Sequence, residues 1–83
     1  MRYRIDVTDA ARAEVIHLPG HVRQRARRLI AALADEPRPD NSKELRGHRG
    51  LFRIRLEKWR VVYRVDDNDH RVTNTAHEGK DRP

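Results

Sequence analysis

No cysteine occurs among the 83 residues, which excludes a disulfide framework and any thiolate metal site. Aromatic residues are almost as scarce, with one Trp, one Phe and two Tyr, so few large side chains can fill a core. Long apolar runs are missing as well. No stretch approaches the roughly 20 apolar residues of a membrane span, and the opening MRYRIDV lacks a run of signal-peptide length. A soluble, cytoplasmic protein is expected. Leu, Ile, Val and Phe supply 18 of the 83 residues, just above the fraction of about 20% below which disorder becomes the better expectation. Residues 1–83 therefore read as one small domain of narrow stability margin. There is no Gly-rich phosphate loop or nucleophile elbow. His17 and His21 are separated by Pro19 and Gly20, which break the helix that would align their rings, so neither a metal nor another cofactor is expected.

What the chain has in excess is positive charge. Nineteen Lys and Arg against thirteen Asp and Glu leave +6, unevenly placed. Residues 44–65 carry seven basic and two acidic side chains, whereas residues 66–83 carry three basic and five acidic. A localised positive field favours an anionic partner, nucleic acid first among them, over a merely solubilising surface.

Apolar periodicity divides the chain. Tyr3, Ile5 and Val7 alternate with Arg2, Arg4 and Asp6 as in a strand with one buried face. Thr8 suits a helix N-cap with Asp9 in the first turn, and Ala11, Val15 and Leu18 form the stripe of a short helix. Leu18, Pro19 and Gly20 end it, with Gly20 free to adopt positive φ at the reversal. A second helix over His21 to Ala34 buries Val22, Ala26, Leu29, Ile30 and Leu33. The aperiodic DEPRPDNS, Asp35 to Ser42, is a connection crossing the end of the domain.

From Lys43 to Val65 the sequence reads KELRGHRGLFRIRLEKWRVVYRV. Phe52, Ile54 and Leu56 alternate with Arg53 and Arg55. After a turn at Glu57 and Lys58, Trp59, Val61, Tyr63 and Val65 alternate with Arg60, Val62 and Arg64. If both apolar sets face the helices, Arg53, Arg55, Arg60 and Arg64 converge on the opposite side of the sheet, four cations without a carboxylate. His70 to Ala76 forms a last, polar strand, and 77–83 is expected to be a mobile tail. Such a surface suits phosphates. RNA can be cut without metal when its own 2′-hydroxyl attacks the adjacent phosphate, and arginine stabilises the charge that develops on phosphorus. Arg64, with His48, Arg49 and Lys58 flanking the two strands, would hold the RNA.

The segments ELRGHRGLFRIRL and WRVVYRVDD resemble the RelE/ParE superfamily of bacterial toxins, the RelE branch more than the ParE branch, and the resemblance runs from Tyr3 to about Val65. It implies an α+β fold, β-α-α-β-β-β, with a helical hairpin on a small curved antiparallel sheet. It also implies an acidic antitoxin as partner and cleavage of mRNA on the ribosome. Catalytic roles are implied for Arg53, Arg55 and Arg60, with Lys80 as the loose match to a basic residue near the C-terminus. Arginines stand where well-known members carry lysines, and a guanidinium with a pKa above about 12 is a poor general base. The proton acceptor is then to be sought among His48, Lys58, His77 or a group of the ribosome. The alternative is a non-enzymatic binding protein of the same fold, either a gyrase inhibitor like ParE-branch members or a degenerate toxin that binds antitoxin and RNA.

Overall fold

The first alternating segment becomes strand β1 (Arg4–Val7), and Thr8 turns the chain from it directly into helix α1 (Asp9–Ile16). This computed structural model describes residues 2–79. The Thr8 hydroxyl accepts the Ala11 N–H at 3.1 Å and caps the helix. At the other end of α1, the Arg23 guanidinium donates to the Ile16 carbonyl at 3.1 Å, satisfying one of the acceptors that a helix C-terminus leaves open. Helix α2 (Gly20–Ala32) starts one residue after Pro19. Gly20 is thus the first helical residue and lies outside the positive-φ region, contrary to its expected use in the reversal. The loop after α2 is pinned by the Tyr63 hydroxyl, which donates to the Pro37 carbonyl at 2.9 Å. Arg38 adds a bidentate contact to Asp67 at 2.7 and 3.2 Å.

Four further strands follow: β2 (Ser42–Glu44), β3 (Leu51–Leu56), β4 (Trp59–Asp66) and β5 (Arg71–Gly79). They join β1 in one sheet of order β1-β5-β4-β3-β2. Two expectations are corrected here. The element order gains β2, three residues pairing antiparallel with β3, so Lys43 sits opposite Arg53. The sheet is mixed and not wholly antiparallel, because β1 runs parallel to β5. Parallel pairing needs a long crossover, and the helical hairpin together with the rest of the chain supplies it.

β5 also extends further than its sequence promised. Residues 77–79, expected in a mobile tail, pair with the start of β4. Tyr63 faces Asn74 and Val62 faces Ala76, leaving Thr75 as an extra residue in a bulge. The bulge shifts the alternation, so Val72, Asn74 and His77 all turn toward the helices and are buried. Asn74 replaces lost ladder bonds by donating from Nδ2 to the Val62 carbonyl at 2.8 Å. Beyond the end of β1, the free edge of β5 is covered from α1, where the Glu14 carboxylate accepts the His77 backbone N–H at 2.8 Å.

Two core clusters lie between helices and sheet. One cluster joins Val15, Leu18, Val22, Ala26 and Ile30 to Leu56 and Val61. The other joins Leu33 to Phe52, Ile54, Tyr63, Val65 and Val72. Ile5 and Leu29 touch both clusters. With one face spent on this core, the other face of the sheet is left for charge.

Candidate nucleic-acid interface

Strand alternation and register place the cations. Arg55 on β3 stands directly opposite Arg60 on β4, and Arg60 stands opposite Glu78 on β5. In the next row of the same face, Lys43, Arg53, Val62 and Ala76 follow one another across four strands. A third row holds Leu51, Arg64, Thr73 and Asp6. Directly paired residues on one face lie about 4.5–5.5 Å apart at Cβ and diagonal ones about 7–8 Å. Arg53 is therefore within side-chain reach of both Arg60 and Arg64. The structure brings Arg53, Arg55, Arg60 and Arg64 onto one surface, as the alternation implied, and adds Lys43.

The expectation of four cations without a carboxylate fails at Arg60, whose Nη2 lies 2.8 Å from Glu78 Oε1. Both side chains remain a little under half exposed, at 44% and 46%. Solvent screens such a pair, so it contributes little to stability while fixing where the carboxylate sits. The arginine and carboxylate stay accessible to a ligand.

The other candidates are spread out. His48 and Arg49 lie in the turn between β2 and β3, bracketed by Gly47 and Gly50, both at positive φ (80° and 83°). Lys58 lies in the turn at the opposite end of β3, a strand about 20 Å long at 3.3 Å per residue. They flank the arginines from two ends and do not converge with one another. His77 is removed from this surface altogether: it is 4% exposed and faces the helices. Burial pushes its pKa below the usual histidine value, an effect the nearby Glu14 carboxylate partly offsets. Lys80 lies outside the described residues.

Sequence reasoning missed Lys43 and Glu78. A three-residue strand has no period to detect, and Glu78 fell in the supposed tail. A signal was nonetheless present, since extending the strand by three residues would have paired Glu78 with the first residues of the WRVVYRV segment.

Two further features bear on binding. On the helix side, a groove of about 570 Å³ between α1, α2 and β1 is lined by Ile5, Val7, Val15, Ile30 and Ala31, with Arg2, Arg12 and Arg27 around it. Among the described residues, no helix is long and apolar enough to cross a membrane.

Residues 5–81 match the family model described as ParE toxin of type II toxin-antitoxin system, parDE. The chain belongs to this toxin family. Solved relatives carry the RelE name. The toxin superposes with a TM-score of 0.86 on a chain of the archaeal RelE-RelB complex from Pyrococcus horikoshii OT3, at 25% identity over the whole of both chains. The isolated E. coli RelE toxin gives 0.83 at 25% identity, covering 98% of this chain and 87% of that one. The toxin-antitoxin complex RelBE2 from Mycobacterium tuberculosis gives 0.81 at 26%, covering 95% and 99%. No curated protein sequence matches the toxin. The fold is RelE-like, within the RelE/ParE superfamily.

Proposed function

We propose that this toxin is a ribosome-dependent mRNA endonuclease that works without metal, by attack of an RNA 2′-hydroxyl on the adjacent phosphate. One observation carries the reading: Arg53, Arg55, Arg60 and Arg64, with Lys43, share the sheet face that the helices leave open. Guanidinium groups in adjacent rows can grip one phosphate from two sides and stabilise the extra charge of a pentavalent phosphorus. Arg53, Arg55 and Arg60 are the groups assigned to that charge. Arg64, Arg49, His48 and Lys58 extend the positive surface along the RNA. The RelE relatives support the same reading.

The test is purified toxin mixed with mRNA-programmed ribosomes and cleavage mapped by primer extension. Cuts confined to ribosome-bound mRNA are expected. Arg60→Ala is expected to lower the cutting rate by about 10²-fold, the scale of removing one transition-state donor.

The ParE description of the matching family favours a second reading, inhibition of DNA gyrase without RNA cleavage. A supercoiling assay separates the two, because a ribosome-directed nuclease leaves gyrase unaffected.

Under either reading the partner is an acidic antitoxin. The groove between α1, α2 and β1, apolar within and ringed by three arginines, suits an amphipathic segment that carries Asp or Glu on its polar side.

A further inference from the structure

We infer that Glu78 is the general base of the proposed cleavage, taking the proton from the attacking 2′-hydroxyl. The inference rests on the nuclease reading above and fills the place it leaves empty. Arginine and lysine in their charged forms have no lone pair to accept a proton. Of the acceptors considered from the sequence, His77 is buried on the opposite face of the sheet and His48 lies in the turn before β3, beyond the Arg64 end of the cluster. Glu78 lies in the row of Arg55 and Arg60, with Oε1 2.8 Å from Arg60 Nη2.

Among the described residues, the other carboxylates on this face are engaged elsewhere. Asp6 pairs with Arg71 at 3.3 Å, and Asp66 accepts the Asp69 N–H at 3.1 Å. The Arg60 guanidinium has five N–H donors. One holds Glu78, and its neighbours in the planar fork can reach a phosphate oxygen. Arg60 would then hold the phosphorus and the base at a fixed separation, the arrangement that in-line attack by an adjacent hydroxyl requires.

The chemistry balances without a further reactant. The 2′-oxygen bonds to phosphorus as its proton passes to a Glu78 oxygen, and the bond from phosphorus to the 5′-oxygen breaks. That oxygen takes a proton from water, and Glu78 returns its own to the hydroxide left behind. The products are a 2′,3′-cyclic phosphate and a 5′-hydroxyl, and nothing is oxidised or reduced.

The experiment is single-turnover cleavage of ribosome-bound mRNA at neutral pH by wild-type toxin, Glu78→Gln and Glu78→Asp. Ribosome co-sedimentation and a thermal melt are run on each protein. Glu78→Gln is expected to cut at least about 10²-fold more slowly, the usual scale of acid–base catalysis, with sedimentation and melting retained. Glu78→Asp is expected to recover part of the rate. Glutamine can still accept the Arg60 hydrogen bond, so a Glu78 that merely positions Arg60 would leave Glu78→Gln cutting within about threefold of wild type and overturn the inference. A wild-type protein that cuts nothing removes the nuclease reading itself, and the base with it.

Discussion

The ring of His77 donates to the side-chain carbonyl of Asn74, with Nε2 and Oδ1 2.7 Å apart, and this contact dictates the tautomer of a buried histidine. Asn74 Nδ2 is committed to the Val62 carbonyl, so Oδ1 must face the ring and Nε2 must carry the hydrogen. The lone pair is left on Nδ1, which is buried and without a partner among the described residues. Protonation there would place an imidazolium in the core.

A pH dependence of stability follows, and its sign is set by the depressed pKa of His77. The unfolded chain binds a proton near pH 6.5 while the folded one resists it, so stability is complete above about 6.5 and falls as the pH drops through the folded value. The melting temperature is expected to decline between about pH 7.5 and 5.5 in wild type and to decline less in His77→Gln. Trp59, the sole tryptophan, lines the same small cleft as His77 and reports the transition by fluorescence.

Gly20 occupies a first-turn helical position with ordinary φ, and a Cβ there would meet only Arg23 Nη2 at 3.8 Å. Gly20→Ala is expected to stabilise by about 0.4–1 kcal/mol through the unfolded chain. In a domain of this size that raises the melting temperature by roughly 2–8 °C. Gly50, at φ 83° with the Val65 carbonyl 3.6 Å from a built Cβ, is expected to respond to the same change with a lower melting temperature.

Ala31 is exposed on α2 and lines the apolar groove. Ala31→Arg adds bulk and charge there without disturbing the buried stripe, and its melting temperature is expected to match wild type. Antitoxin affinity, measured by calorimetry, is expected to fall at least about tenfold, or 1.4 kcal/mol. An unchanged affinity would place the antitoxin elsewhere.

Lys43 lies beside Arg53 on the open face. Lys43→Ala is expected to weaken single-stranded RNA binding whatever its sequence, and to reduce the slope of log K against log salt by about 0.7, the release of one counterion. Fluorescence anisotropy at four or five salt concentrations measures it.

The helical stripes were legible because their residues recur at a spacing only a helix aligns: Val22, Ala26, Ile30 and Leu33 are all buried as that spacing requires. The arginine face was legible for the matching reason in β3 and β4. Alternation says which face a residue takes but not which direction its neighbour runs, so the parallel pairing of β1 with β5 left no trace. β2 was too short to show a period. In β5 the bulge at Thr75 broke the period, and the buried Asn74 and His77 read as loop residues because the bonds that make their burial tolerable come from Val62 and Glu14, far along the chain. Glu78 disappeared with them, and with it the carboxylate partner of Arg60.

β1 is held in the sheet by β5 alone, and Arg4 meets Arg71 across nearly the whole sequence. A growing chain therefore presents Ile5 and Val7 long before the strand that receives them has been made. Contacts so distant along the sequence slow folding, because loop closure must precede any reward. Arg60 likewise meets Glu78 only when β5 docks. A nascent toxin whose fifth strand is still inside the ribosome thus lacks both a complete sheet and the pairing at the centre of its charged face, which delays the assembly of that face until that strand is free to dock.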